Sequence, residues 1–260
     1  MLPKFQHGIK AKKHLGQHFL KDVQICAKIA HSLVLNQDEN VLEIGPGAGA
    51  LTTFLQELPI SLWLSEVDTE SIAFLKDTLH VSEERILGDF LQVDLQGVNP
   101  GQWSIIGNFP YHISTQILFR IYEQKDKVNQ AVGMFQKEVA ERVAAKSGSR
   151  TYGILSVLMQ AYYDIEYLFT LNEDAFIPPP KVKSGVIRLV RNEVKKLPCD
   201  EAFFKVIVKV AFNQRRKTLR NALKSILPPN FPTTDKIWDL RAEALNVADY
   251  ILLANQIKPQ

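Results

Sequence analysis

The stretch NVLEIGPGAG, residues 40–49, joins a short apolar run to a glycine-rich turn, and a helical pattern follows over residues 50–58. This order predicts a buried strand, a tight turn and a helix. Glycine lets the backbone approach a ligand closely and places that ligand at the N-terminus of the next helix. Gly45, Gly47 and Gly49 form a GxGxG pattern, whereas a nicotinamide fingerprint needs glycine or alanine at 45, 47 and 50, which Ala50 also satisfies. The turn therefore predicts a cofactor site without naming the cofactor.

Strand and helix patterns alternate on both sides of this turn. Strand-like runs occur at residues 61–67, 85–87, 103–106, 130–135, 163–171 and 185–190, and helical patterns at residues 22–35, 69–79, 114–124 and 137–146. Such alternation predicts an α/β fold, a doubly wound Rossmann-like sheet with helices on both faces. Beyond Arg191 only helical patterns remain, at residues 200–227 and 235–257. We therefore expect the sheet domain in residues 1–195 and a small C-terminal α-helical domain in residues 196–260.

The charge of the chain is unevenly distributed. The 260 residues are 46% hydrophobic and 23% charged, an ordinary globular composition, and 31 basic against 28 acidic residues give a net charge of +3. Twelve of the bases lie in two tracts without acids, at Lys4, Lys10, Lys12, Lys13, Lys21, Lys205, Lys209, Arg215, Arg216, Lys217, Arg220 and Lys224. Concentrated positive charge indicates a polyanionic partner such as nucleic acid. Two solvated basic faces are the alternative.

Cysteine content and hydropathy indicate the compartment. Cys26 and Cys199 form neither a disulfide framework nor a zinc site, so we expect packing roles and no bound metal. No apolar run approaches the roughly 20 residues that span a bilayer, and the basic N-terminal segment lacks the apolar stretch of a signal peptide. The sequence therefore predicts a soluble, cytoplasmic protein without a membrane partner.

Acidic residues follow the second and third predicted strands. Glu66 lies 21 residues after Gly45, where a carboxylate accepts hydrogen bonds from both ribose hydroxyls of a dinucleotide or of S-adenosylmethionine. Asp89 is placed to accept from an adenine amine, and Phe90 to pack on the adenine ring. A plain turn at residues 88–90 is the alternative. Asp68 is expected to cap the next helix.

The fourth strand ends in Asn108-Phe109-Pro110-Tyr111, which we predict to carry the chemistry. The amine of adenine is a poor nucleophile because its lone pair is delocalised into the ring. The Asn108 side-chain carbonyl and the Phe109 backbone carbonyl can each accept one N–H, stabilising positive charge that develops on the nitrogen. Pro110 stiffens the turn, and Tyr111 stacks on the base. An Asn-x-Pro turn beside a core tyrosine is the alternative.

With these motifs in place, the chain resembles the KsgA family of small-subunit ribosomal RNA adenine dimethyltransferases. The matching segments are QHFL at 17–20, EIGPGAG at 43–49, Glu66, GDF at 88–90, NFPY at 108–111, FIPPPKVKS at 176–184 and NQRRKTL at 213–219. The resemblance implies that His18 and Leu20 contact S-adenosylmethionine, alongside Gly45, Glu66, Asp89 and Asn108. It also implies that two adjacent adenines near the 3′ end of the small-subunit RNA each receive two methyl groups, on the small ribosomal subunit or its precursor.

Two positions depart from the family pattern. His18 stands where the family has asparagine, so it is expected to act through its backbone or a different side-chain geometry. A surface histidine in a basic arm is the alternative. Phe109 stands where leucine is usual, which matters little for a backbone carbonyl. Phe176 is predicted to be the second wall of the adenine pocket, opposite Tyr111, because bases taken out of a stack are held between aromatic rings. A stiff proline connector is its alternative.

The second basic tract is the predicted RNA-binding surface. Its residues are Lys205, Lys209, Arg215, Arg216, Lys217, Arg220 and Lys224. The tract lacks interleaved aromatic residues, which favours contact with phosphates over reading of bases. The pattern leaves open whether one helix or two, broken near Asn213, carry it.

Three other functions compete with small-subunit methylation. A large-subunit RNA dimethyltransferase conferring macrolide resistance shares the sheet and the pocket, but the segments 176–184 and 215–217 favour the small-subunit family. A non-catalytic ribosome-assembly factor needs no acceptors such as Asn108. An NAD oxidoreductase needs a hydride-transfer acid or base, and none is obvious. We expect the protein to act as a monomer.

Overall fold

The computed structural model describes residue 9 and residues 11–258; Lys4 and Lys10 of the first basic tract lie outside the described residues. The described residues form two compact units. Unit 1 comprises those up to Ala140 together with Ile165–Arg191, and unit 2 comprises Glu141–Asp164 and those from Asn192 onward. The boundary expected between residues 195 and 196 stays a prediction.

The described residues contain nine strands and ten α-helices, numbered here in chain order. Strands β1 to β9 are Phe19–Leu20, Asn40–Ile44, Ser61–Ser65, Ile86–Leu87, Trp103–Asn108, Val128–Gln136, Tyr163–Leu171, Phe176–Ile177 and Ser184–Arg191. Helices α1 to α10 are Val23–Ala30, Thr52–Leu55, Thr69–Asp77, Leu95–Val98, Ser114–Glu123, Lys137–Ala144, Ile154–Gln160, Glu201–Asn213, Leu219–Ala222 and Val247–Ile257. Within this part of the chain, no helix has both the length and the apolar character needed to cross a bilayer.

A seven-stranded sheet of order β4-β3-β2-β5-β6-β9-β7 forms the centre of the fold. Five neighbouring strands of this sheet are mutually parallel: β4, β3, β2, β5 and β6. Every residue of β2 is buried, as expected where helices cover both faces of a parallel sheet. The α/β Rossmann-like fold predicted from the sequence is therefore confirmed. Because β2, β3 and β5 run in one direction, the residues that follow them meet at one edge, the carboxyl edge.

Strand β9 is antiparallel to β6, an orientation that the alternating pattern does not predict. Ser184, the first residue of β9, pairs with Gln136, the last residue of β6. The chain enters β9 from the carboxyl edge, after the two-residue strand β8 has paired with β1. This direction brings Ser184 to the same edge as the residues that follow β5.

Unit 2 is built around α8. Its buried residues Phe204, Ile207, Val208 and Ala211 form one face, and the helix packs on α7 and α10. Helix α7 was not predicted, because residues 155–159 are all buried and no polar face marks its periodicity.

The helices expected at residues 200–227 and 235–257 are shorter in the structure. The first is two helices, since α8 ends at Asn213 and α9 begins at Leu219. In the second, only Val247–Ile257 is α-helical. The residues before it are partly extended: Arg241 forms an isolated antiparallel bridge with Thr218, and the Leu240 carbonyl accepts from the Leu219 N–H. Asn246 then caps α10 by accepting from the N–H of Asp249 at 3.0 Å.

Candidate active site at the carboxyl edge of the sheet

A cavity lies at the carboxyl edge, where β2, β3 and β5 end. Eight of the predicted site residues line it: His18, Gly45, Gly47, Glu66, Asn108, Phe109, Pro110 and Tyr111. Residues to which the sequence analysis gave no individual role complete the lining: Leu15, Gly16, Gln17, Phe19, Val67, His112 and Ile113. The lining thus combines residues predicted for the cofactor with residues predicted for catalysis.

The glycine turn brings backbone to the cavity. Gly45 and Gly47 have φ angles of +67° and +53°, in the left-handed region that favours glycine. A Cβ on Gly47 would lie 2.7 Å from Cε1 of Phe19, so a side chain there would displace that ring. The glycines therefore keep both the turn and the cavity wall in shape.

Glu66 is buried at the end of β3, with a relative exposure of 6%. Its Oε2 accepts from the Gly47 N–H at 3.0 Å, and its Oε1 from the N–H groups of Val67 and Asp68 at 2.8 and 2.9 Å. Burial raises the pKa of Glu66, while the three N–H donors oppose that rise. These bonds fix the carboxyl plane and leave Oε2 with capacity for a further donor.

Asn108 is held in one orientation. Its Nδ2 donates to the backbone carbonyl of His18 at 2.7 Å. Because a carbonyl oxygen only accepts, the amide nitrogen must face His18, and Oδ1 is the atom left to accept from a substrate. The neighbouring Phe109 side chain is buried edge-on against Phe135, at 5.1 Å between centroids. The ring of Phe109 is thus packed in the interior, and the role predicted for its backbone carbonyl stays a prediction.

Tyr111 and His18 form two facing aromatic walls. Their rings are stacked, with centroids 5.7 Å apart and planes 27° apart. The Tyr111 hydroxyl lies 2.5 Å from Ser184 Oγ, and burial raises the pKa of Tyr111. The His18 Nδ1–H donates to the Pro178 carbonyl at 2.8 Å. Both rings are thus anchored at their polar atoms.

Phe176 and Leu20 lie in the hydrophobic core instead of on the cavity. They pair with each other across β1 and β8, and are 1% and 2% exposed. Phe176 was predicted to face Tyr111, and the structure puts His18 in that place. Leu20 borders a small adjoining cavity together with Asn108.

Asp89 and Phe90 also lie outside the cavity lining. Asp89 is exposed, and its Oδ1 accepts from the Leu91 N–H at 2.9 Å, which is a local turn. Phe90 is 2% exposed and packs in the interior. The roles predicted for these residues beside adenine stay predictions.

Glu43, two residues before Gly45, is a buried carboxyl group near the end of β2. The side chain is 1% exposed, and its Oε2 accepts from Thr52 Oγ1 at 2.6 Å. Burial raises the pKa of Glu43 to about 8. At neutral pH the carboxyl group is therefore largely protonated, and it links the end of β2 to the start of α2 as a neutral group.

The two cysteines are both buried. Burial raises the pKa of Cys26 to about 12 and also raises that of Cys199. Both thiols are thus protonated at neutral pH, in keeping with the packing roles expected for them. Among the described residues, no group of three or more His, Cys, Asp or Glu side chains is placed to hold a metal ion.

The predicted RNA-binding residues lie in unit 2, where they are unequally engaged. Arg215 donates to the Arg150 carbonyl at 2.6 Å and pairs with Glu243 at 3.5 Å. Arg220 pairs with Asp239 at 2.5 Å. The remaining members differ in position: Lys205 and Lys209 on α8, Arg216 and Lys217 in the turn after it, and Lys224 after α9. Arg216, Lys217, Lys209 and Lys224 are exposed.

The strand order, and a cavity where the parallel strands end, define a Rossmann-like α/β protein with a candidate cofactor site at the carboxyl edge of its sheet. The same fold occurs in a dimethyladenosine transferase from Plasmodium falciparum, with a TM-score of 0.76 at 24% identity over 92% of this chain and 97% of that one. The chain belongs to the ribosomal RNA adenine dimethylase family, whose sequence model matches residues 8–258.

Curated relatives and a second solved structure extend the comparison. The chain is 54% identical to "Ribosomal RNA small subunit methyltransferase A" of Cytophaga hutchinsonii over 96% of this chain and 98% of the relative. It is 52% identical to the protein of that name from Flavobacterium johnsoniae, over 96% and 97%. The 23S rRNA methyltransferase ErmE shares the fold, with a TM-score of 0.68 at 23% identity, over 92% and 99% of the two chains.

Proposed function

We propose that this protein uses S-adenosylmethionine to dimethylate the N6 amines of two adjacent adenines near the 3′ end of small-subunit ribosomal RNA. The substrate is the small subunit or its precursor, and the protein acts on it as a cytoplasmic monomer during subunit maturation. The observation that carries the proposal is the fixed Asn108 amide beside Tyr111, in a chain that is more than half identical to small-subunit methyltransferases.

The cavity fits the adenosyl cofactor. Glu66 presents Oε2 with capacity for a ribose hydroxyl, and the turn at Gly45 and Gly47 admits a ligand against its backbone. Asn108 and His18 border the same space. S-adenosylmethionine, when bound, supplies the electrophilic methyl group. The residues of this chain supply binding, orientation and acceptors.

The amine of the target adenine is activated by hydrogen-bond acceptors and not by a strong base. Asn108 Oδ1 and the Phe109 carbonyl each accept one N–H, so positive charge developing on nitrogen meets oxygen atoms already in place. The nitrogen gains the methyl group as the bond from methyl to sulfur breaks, and it then loses one proton to water. The Asn108–His18 bond fixes one acceptor, and the buried Phe109 ring fixes the other. Catalysis is then chiefly a matter of position.

The base is held by the aromatic walls. Tyr111 offers a ring anchored through Ser184, and His18 offers one anchored through the Pro178 carbonyl. Their centroid separation of 5.7 Å is that of two rings already in contact with each other. One ring must therefore move aside to admit adenine between them.

The deciding experiment is transfer of a labelled methyl group from S-adenosylmethionine to ribosomal subunits that lack the modification. We expect label in small-subunit RNA, at N6 of two adjacent adenines. Label confined to large-subunit RNA would favour the macrolide-resistance type of enzyme. No label in either RNA, with the protein still bound to small subunits, would favour an assembly factor. Both outcomes would overturn the proposal.

Reversing the charge of the exposed pair Arg216 and Lys217 tests the RNA-binding surface. We expect Arg216→Glu with Lys217→Glu to weaken binding to small subunits about 10-fold at low salt and to reduce the slope of log affinity against log salt by roughly 1 to 2. Affinity for S-adenosylmethionine should not change. Filter binding over a series of salt concentrations measures both RNA quantities.

The matched control for this pair is Lys195→Glu with Lys196→Glu. These two lysines are also exposed, lie in the same unit, and undergo the same change of charge. We expect the control to bind small subunits more tightly than the Arg216 and Lys217 variant. An equal loss of affinity in both variants would show that only the overall charge matters, and it would contradict a binding surface at Arg216 and Lys217.

A further inference from the structure

Three polar side chains join the segment that lines the cavity to the residues that follow β3. Lys12 Nζ lies 2.5 Å from Asp68 Oδ1 and 3.3 Å from Glu70 Oε1. Gln17 Nε2 donates to Asp68 Oδ2 at 3.1 Å, while Gln17 Oε1 accepts from the Lys12 N–H at 2.8 Å. We call Lys12, Gln17 and Asp68 the Asp68 clasp.

Asp68 is the centre of this network. Its side chain is 1% exposed. Besides the two clasp partners, its carboxylate accepts from the Glu70 N–H and from Ser71 Oγ, both at 3.2 Å. Burial opposes ionisation, but hydrogen bonds from Lys12 and Gln17 hold the pKa of Asp68 below its usual value. A buried carboxylate with this many donors is firmly held in place.

The clasp acts on the cavity from two sides. On one side, Gln17 belongs to the segment of residues 15–19 that lines the cavity. On the other side, the Asp68 backbone N–H donates to Glu66 Oε1 at 2.9 Å. Gly16, in the same lining segment, packs closely on His112, since a Cβ there would lie 2.7 Å from His112 Nδ1. Asp68 therefore contacts both groups: its carboxylate holds the lining segment, and its backbone N–H donates to Glu66.

We propose that Lys12, Gln17 and Asp68 are positioning residues for the adenosyl cofactor. They hold residues 15–19 and the Glu66 carboxyl group in the binding geometry, and they line up these groups without contacting the reacting atoms. The inference rests on the proposed use of S-adenosylmethionine. It assigns Lys12, a member of the basic N-terminal tract, to the cofactor site and not to RNA.

The test measures cofactor affinity and steady-state kinetics in clasp variants. We expect Lys12→Gln and Asp68→Asn each to raise the Kd and KM for S-adenosylmethionine about 10-fold, because each removes a charge-assisted hydrogen bond. The loss should fall on KM and not on kcat or on the KM for small subunits. Lys12→Arg, which keeps the ion pair, should restore affinity to within about twofold.

Asp94→Asn is the matched control. Asp94 caps α4 by accepting from the Gln96 N–H, as Asp68 caps α3, and it does not line the cavity. Asparagine is as good an N-cap as aspartate, so neither substitution removes a cap. We expect the control to bind the cofactor as the wild type does.

Two results would contradict the proposed role of the Asp68 clasp. One is unchanged cofactor affinity in Lys12→Gln and Asp68→Asn, and the other is a loss that Lys12→Arg does not restore and that matches a lower melting temperature. A wild type that neither binds S-adenosylmethionine nor transfers methyl groups would instead overturn the proposed function. Isothermal titration of the wild type, done first, separates the two failures.

Discussion

Asn108→Ala is expected to lower the single-turnover rate constant for methyl transfer to small subunits by about 10²- to 10³-fold, the usual effect of removing one preorganised transition-state hydrogen bond. The substitution removes Oδ1, the proposed acceptor for one N–H of adenine. It also removes the bond from Nδ2 to the His18 carbonyl, which holds the neighbouring segment. The measurement is single-turnover methyl transfer at saturating S-adenosylmethionine, so that weaker cofactor binding does not enter the rate.

Asn99→Ala is the control for Asn108→Ala. Asn99 likewise donates through Nδ2 to a distant residue, Asn40 Oδ1 at 2.8 Å, but it does so at the amino edge of the sheet. We expect the control to transfer methyl groups within about twofold of the wild-type rate. If Asn108→Ala kept more than a third of that rate, the assignment of Asn108 as an acceptor would be wrong.

Gly107→Ala is expected to destabilise the fold by about 1–3 kcal/mol, which lowers the melting temperature by roughly 2–12 °C. Gly107 in β5 pairs with Gly133 in β6. A Cβ on Gly107 would lie 2.5 Å from the Ile44 carbonyl oxygen and 2.8 Å from Cε1 of Phe109. The first contact is with backbone, which cannot rotate away. The second shifts the ring beneath the proposed acceptor, so kcat should fall as well.

Gly88→Ala provides the comparison for Gly107→Ala. A Cβ on Gly88 meets nothing within 4 Å, and the residue has no positive φ angle. Thermal unfolding followed by circular dichroism should place this variant within about 2 °C of the wild type. If Gly107→Ala melted at the same temperature as Gly88→Ala, the close packing around Phe109 would not constrain the fold.

Local patterns predict the parts of this fold that depend on neighbours in sequence. The β2 strand was predicted directly before the glycine turn, where the structure has it, because its apolar run is flanked by a polar segment and by glycine. The Asp68 cap was predicted because aspartate directly precedes a helical pattern. The second role of Asp68 was not predicted. Its ion pair with Lys12 joins residues 56 positions apart, and no local signal reports it.

The aromatic wall illustrates the same limit. Phe176 and His18 both belong to segments that match the family, and either ring is a chemically reasonable partner for Tyr111. The choice depends on how β1 and β8 pair, since that register buries Phe176 beside Leu20 and leaves His18 at the cavity. Pairing of two-residue strands far apart in the chain is not encoded in any short pattern.

The fixed Asn108 amide has a consequence for how many methyl groups the pocket adds. With Nδ2 bound to the His18 carbonyl, the two proposed acceptors, Asn108 Oδ1 and the Phe109 carbonyl, have set places. Adenine brings two N–H groups, the monomethylated base brings one, and the dimethylated base brings none. In the proposed mechanism, the amine therefore donates one hydrogen bond fewer to these acceptors after each transfer. The two acceptors thus limit each adenine to two methyl groups, because the dimethylated amine has no N–H left to donate and the base is released.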